Sequence, residues 1–359
     1  MNSFQGPEWD KKFRSILTDI RLQKCVILVG PEAIHWADQP LHKVLRKHLF
    51  ETCPAEIAHY YERDESYLFR DKIAKEDIQR EVSLFYKDHN LNTGVKESLL
   101  LNLARLRVHM VLSMNPDSFL SDMAYKYGLI HRFAYFQHGG AAVVDIESPT
   151  ADMPLFYNLC GALERDSSLV LDYDDLFSLL SSLFGSPGLP PRLIVELRQA
   201  KHFFFVGFNF DKWYSQLLLR LLSGEKAIRK FVIDRSSKTD NTTLFLVKQF
   251  GIEFIDDEAA FLSEIFRRAE EEGLMRDILK PDSSESIKIR HLLRNGDIPG
   301  AIQLLNTKST WADAGIMISA RYMDLLNREA RRVLDSRERA LEYNRIVDAI
   351  LETIKTPAA

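Results

Sequence analysis

The stretch that decides the fold is HFFFVGFNFDKWYSQLLLRLLSG, residues 202–224. Its first part is an unbroken apolar run ending at Gly207, and its second an amphipathic segment with apolar residues at helical spacing. A strand apolar on both faces, followed by a turn and a helix, is the repeating unit of a parallel sheet covered on both sides. Downstream, KFVIDR (230–235) and IEFIDD (252–257) repeat the strand signature after helical segments. Upstream, CVILVG (25–30) ends in Gly30, and VHMVLSMNPDSF (108–119) runs into Asn115-Pro116-Asp117, a strand followed by an abrupt turn.

Between these anchors, HRFAYFQ (131–137), AAVVDI (141–146), LFYNLCGA (155–162) and SSLVLDY (167–173) are β-rich. DDLFSLLSSLFG (174–185) is helical and stops at SPGLPP, where Gly and Pro cannot continue a helix. Residues 40–106 mix charged and apolar residues at helical spacing. LHKVLRKHLF, EIAHYYERDESYLFRDKI and GVKESLLLNLARL are the clearest stretches, and the region reads as a helical insertion. The fold class is therefore α/β, a Rossmann-like, mostly parallel sheet over residues 1–278. LKPDSSES (279–286) is a linker by composition, and residues 287–359 form a small all-α bundle. In that bundle Asp297 is placed to cap IPGAIQLL. Ile316, Ala320, Met323, Leu326, Ala330 and Val333 share one helical face, and the last helix buries Val347, Ile350, Leu351 and Ile354.

Composition excludes several function classes. The 359 residues are 46% hydrophobic and 27% charged with a net charge of −4, so the chain is neither disordered nor a dedicated binder of nucleic acid. Nothing approaches the roughly 18 apolar residues of a membrane span, and the first residues carry no secretory h-region. Cys25, Cys53 and Cys160 form neither a disulfide framework nor a C-x-x-C site, which fits a reducing cytoplasm. His35, His42 and His48 lack an H-E-x-x-H pattern, so no metal site is expected.

The order and spacing of four segments resemble bacterial sirtuin-like domains over roughly residues 10–268. These are the strand ending at Gly30, the strand leading to Asn115-x-Asp117, LCGALERDSSLVLDYDDL, and FFFVGFNFDKWYSQLLL. The resemblance implies a dinucleotide fold in which NAD is cleaved between nicotinamide and ribose. It also implies a site at Gly30, Glu32, Asn115, Asp117, Gly207, Asn209 and Asp211. The catalytic His of that family falls on Cys160, and His138 in FQHGG lies 22 residues before it, away from the matching segment. The loop Gly30-Pro31-Glu32-Ala33-Ile34 departs from the family's glycine-rich pattern. Pro31 removes a backbone donor, and Glu32 sets a carboxylate where a diphosphate belongs, at a cost on the order of several kcal/mol. A thiol in an apolar strand is a neutral small hydrophobe rather than a nucleophile.

LLRNGDIPGAIQLL, ISARYMDLLNREARRVLDSRE and EYNRIVDAILETI resemble the effector-associated domains of bacterial conflict systems across residues 285–355. That resemblance implies recruitment of a protein partner carrying a similar domain, with self-association as the other arrangement. Three readings follow. The favoured one is a non-enzymatic scaffold, sensor or adaptor in an anti-phage or conflict system, holding no cofactor. The alternatives are an NAD glycohydrolase that depletes NAD, with Asn115 essential, and a binder of an NAD-derived nucleotide.

Overall fold

The computed structural model describes residues 4, 6–137, 145–163, 168–185, 188–208, 210, 212–223, 229–233, 240–278, 286, 288–289, 292–293, 297–308, 311–331 and 336–354. These divide into two compact units. One is Met1–Ala124 with Ile130–Asp277, and the other is Ile278–Ala359 with Tyr125–Leu129.

The strands in chain order are β1 (Cys25–Val29), β2 (His35–Trp36), β3 (Gln39–Pro40), β4 (Ile57–Tyr61), β5 (Ser66–Phe69) and β6 (Met110–Ser113). They continue as β7 (Arg132–Tyr135), β8 (Leu155–Asn158), β9 (His202–Val206), β10 (Arg229–Ile233) and β11 (Ile252–Ile255). Seven of them form one sheet in the order β11-β10-β9-β1-β6-β8-β7, and every pairing in it is parallel. The central strands β1 and β9 are buried along their whole length, which is why they read as continuous apolar runs. Val26, Leu28, Phe203 and Phe205 face a core shared with Leu179, Leu183, Leu193 and Leu197 from helices Tyr173–Phe184 and Pro191–Gln199. On the opposite face Phe204 meets Phe261, whose ring lies 5.4 Å from Phe13, so helices Pro7–Arg21 and Glu258–Glu271 cover that side.

From β1 the chain crosses to β6 on one side and later returns to β9 on the other. The carboxyl end of β1 is thus a topological switch point, the place where open α/β sheets bind ligands. Register sets what gathers there. Val29 pairs with both Val206 and Ser113, and Ser113 pairs with Asn158. Gly30, Gly207, Asn115 and Cys160 therefore emerge at one end of the sheet.

Two expectations for this unit need correction. The stretch 56–73 is not a helix: β4 and β5 pair as an antiparallel hairpin, and the following helix begins at Lys72 behind the cap Asp71. Its charged residues mimic a helix surface, but Ile57, Tyr60, Tyr67 and Phe69 are β formers, and Glu65 adopts a left-handed turn with φ of 53°. The insertion thus carries a hairpin among its helices. Likewise SSLVLDY contributes no sheet strand: residues 168–171 run as irregular chain, and Asp172 makes an isolated bridge to Tyr67. Of AAVVDI, residues 141–144 lie outside the described set.

The second unit holds helices Ile298–Asn306, Ala312–Ala330 and Ser336–Thr353, the first capped by Asp297, which accepts from the Gly300 amide at 2.9 Å. Trp311, Ile298, Leu305, Ile318, Leu325, Ile346, Ile350 and Ile354 form its core, with Val347 and Leu351 packed partly against it. The helical face chosen from sequence is the outer one. Ile316 and Met323 are 62% and 54% exposed, Ala320 and Leu326 are exposed with them, and Ile318 and Leu325 point inward instead. This helix has apolar stripes on both sides, so periodicity alone could not choose between them. The side chain of Ala330 and all of Val333 fall outside the described set.

Candidate functional site

The loop after β1 is a single 3-10 turn, Pro31–Ala33, rather than the start of a long helix. Its backbone donors are all committed. Gly30 N–H donates to Val206 O at 2.8 Å, Glu32 N–H to Gly207 O at 3.0 Å and Ala33 N–H to Gly30 O at 3.1 Å, while Pro31 has no N–H. A pyrophosphate cradle needs such amides free and pointing at the ligand. The two glycines touch for the same reason: a Cβ at Gly30 would sit 2.2 Å from Gly207 O, and one at Gly207 would sit 2.1 Å from Ala33 N. Gly207 also has φ of +64°, a conformation suited to a residue without a side chain.

Asn115, buried at the end of β6, donates from Nδ2 to Gly30 O at 3.2 Å and so stitches the β6 loop to the β1 loop. Asp117 accepts from the Phe119 amide at 3.0 Å and starts helix Phe119–Lys126, while its carbonyl receives Asn158 Nδ2 at 2.8 Å. Cys160 follows β8 and lines the cleft, and burial pushes its thiol up to about 12. The next turn is closed by Ser168, whose hydroxyl accepts from the Ala162 amide at 2.9 Å.

Over these loops lies a cavity of about 180 Å³, walled by Glu32, Asn115 and Cys160 below and by the β4–β5 hairpin above. That volume exceeds the roughly 150 Å³ that accepts a benzene ring and falls short of the roughly 300 Å³ at which drug-sized pockets begin. The walls are rich in phenols, with Tyr60, Tyr67, Tyr86 and Tyr214 all on the lining. Burial pushes Tyr60 up to about 12 and raises the other three further, so all four are neutral at pH 7. The acidic members are Glu32, Asp64, Glu65 and Asp172, and the basic ones are His42 and Lys212. Burial alone would raise the Glu65 carboxyl; His42 and Lys212 more than reverse this and hold it at about 2.

Several contacts pin the hairpin to the body, three of them through Glu65, Asp64 and Tyr67. Glu65 pairs with Lys212 in the segment before helix Trp213–Ser223 and lies 3.4 Å from His42 Nε2. Tyr173 Oη donates to Asp64 Oδ2 at 2.6 Å, and Tyr67 N–H donates to Leu171 O at 2.9 Å.

The structure thus brings Glu32, Asn115 and Cys160 to one cleft, packs Gly30 against Gly207 beneath it, and sets Asp117 at a helix start. His138, Asn209 and Asp211 lie outside the described residues. Sequence reasoning missed His42, Tyr60, Glu65, Tyr67, Lys212 and Tyr214. The aromatic density of HYYERDESYLF was the one signal available for the hairpin. Among the described residues no group of His, Cys, Asp and Glu could hold a metal ion, and no helix is long and apolar enough to cross a membrane.

Fold and cleft define a two-unit chain, a doubly wound parallel α/β unit with a switch-point cavity and a helical unit. Residues 287–356 match the family model of effector-associated domain 11, consistent with a bacterial conflict-system setting. No curated protein matches the chain.

Proposed function

We propose that this chain is a non-enzymatic adaptor or sensor of a bacterial conflict system. In this reading its α/β unit is a degenerate sirtuin-like domain, and residues 287–356 recruit a protein partner bearing a similar domain. The observation that carries it is the commitment of every amide from Gly30 to Ala33 to a backbone acceptor. Glu32 in the cleft wall and the neutral thiol of Cys160 support the same conclusion, because a carboxylate there repels a diphosphate and a neutral thiol does not replace a histidine as general base. The exposed stripe of Ile316, Met323 and Leu326 supports recruitment, since an apolar helix face is how helical modules meet one another. Its partner on this reading is the matching face of a second effector-associated domain. The three unpaired cysteines fit a reducing compartment.

The test is nicotinamide release from NAD at micromolar protein, with and without the captured partner. Absence of turnover in both supports the reading. Turnover that disappears in Asn115→Ala would overturn it in favour of an NAD glycohydrolase.

A further inference from the structure

We infer that Lys212 and His42 form an anion-binding site in the cleft that Glu65 fills from within, and that a small ligand carrying a single phosphate is what displaces it. The inference deepens the sensor half of the proposed function by naming its ligand class. The non-enzymatic half is read separately by nicotinamide release.

Lys212 is 5% exposed, and its ammonium group lies against the Glu65 carboxylate. A buried ammonium is retained only where an anion meets it. The carboxylate divides its oxygens: Oε2 goes to Lys212, and Oε1 lies 3.4 Å from His42 Nε2. The other nitrogen of His42 is 3.1 Å from Pro31 O, so both ring nitrogens face oxygens that only accept. Two converging nitrogen groups, one of them an ammonium, around two oxygens are the recognition geometry of a phosphate as much as of a carboxylate.

Glu65 differs from the rest of the site in being detachable. It sits at the tip of a two-stranded hairpin, in a left-handed conformation that L side chains disfavour. Two strands alone are marginal in water, so this element stays closed through its contacts with the body, the Glu65 ion pair and buried Ile57 and Tyr67 among them. The remaining walls also fit such a ligand. Tyr60, Tyr67, Tyr86 and Tyr214 offer hydroxyl groups and ring faces, and about 180 Å³ suits one sugar or ring. Glu32 on the same lining and the committed amides of the Gly30 loop disfavour a second phosphate.

The experiment uses the full chain with ribose 5-phosphate and inorganic phosphate as probes and ribose as the uncharged control, read by calorimetry. Both phosphate probes are expected to bind and ribose not to. Glu65→Gln is expected to tighten binding at least tenfold, and Lys212→Met to abolish it. The inference is overturned if neither probe binds the wild-type chain or Glu65→Gln, if Glu65→Gln binds no more tightly than wild type, or if Lys212→Met binds as wild type does. Should Glu65→Gln fail to fold, hydrogen exchange on the wild-type chain decides. Faster exchange of the amides in 57–69 with saturating phosphate supports displacement, and unchanged exchange there overturns it.

Discussion

The side-chain amide of Asn115 donates to the carbonyl oxygen of Gly30 across 3.2 Å, joining the loops that follow two neighbouring strands. The bond is buried, and removing the donor leaves the Gly30 carbonyl with the Ala33 amide as its remaining partner. Asn115→Ala should lower stability by about 0.5–1.5 kcal/mol. Asn115→Asp, which sets an acceptor against an acceptor, should cost more. Urea denaturation of the two variants tests the order, and equal stabilities would refute it.

The contact between Gly30 and Gly207 predicts a sharper effect. Gly207→Ala places a Cβ 2.1 Å from Ala33 N in a left-handed backbone, so the loop must shift and the sheet end with it. A loss of roughly 3 kcal/mol or more is expected. Soluble yield and the denaturation midpoint report it; a near-wild-type midpoint would show that the two loops are free to part.

Half-buried Cys160 has its thiol pushed up to about 12, and Cys25, which is fully buried, is raised well above its ordinary value. At pH 8 the thiolate fraction of Cys160 is then about one in ten thousand. Brief treatment of the folded chain with iodoacetamide should leave both residues unlabelled, while the denatured chain labels fully. Peptide mass mapping distinguishes the two, and rapid labelling of Cys160 in the folded chain would restore it as a nucleophile candidate.

His109 enters β6 almost fully buried, 3.9 Å from Glu196, and burial lowers it to about 4. The unfolded chain therefore binds a proton that the folded chain refuses between about pH 6.5 and 4. Stability from this group is complete above about 6.5 and falls with pH by up to about 1.4 kcal/mol per unit through that window. Burial raises Glu196, which works in the opposite direction just above its ordinary value. Comparing wild type with His109→Phe isolates the histidine: the variant should show a shallower acid loss. Parallel curves would remove His109 from the account.

The outer stripe of the second unit allows a surface test. Ile316→Lys and Met323→Lys change exposed positions and should leave the melting temperature within the change of about 0.5 kcal/mol typical of surface substitutions. The same changes should abolish partner capture, whereas Trp311→Ala, in the middle of the core, should cost about 3–5 kcal/mol. Retained capture by the lysine variants would place recruitment elsewhere.

Legibility followed the physics of burial. Strands such as CVILV and HFFFV announce themselves because both faces are covered, and their register then fixes which loops meet. The cleft floor at Gly30, Asn115 and Cys160 was accessible from sequence for that reason. Its roof was not. Tyr60, Glu65 and Tyr67 sit on a hairpin whose solvent side is as charged as a helix surface, and pairing between Glu65 and Lys212 spans 147 positions with no local signature. The helix Ala312–Ala330 shows the same limit, since two apolar stripes fit one period and only packing selects Ile318 and Leu325 over Ile316 and Met323.

The way Glu32 N–H is held by Gly207 O has a consequence for what substitution can do to this loop. Exchanging Pro31 and Glu32 for glycines would supply a missing hydrogen and delete an acid, yet the main chain would stay strapped to β9. Building a dinucleotide grip here demands rerouting the peptide backbone itself, which an exchange of side chains does not supply.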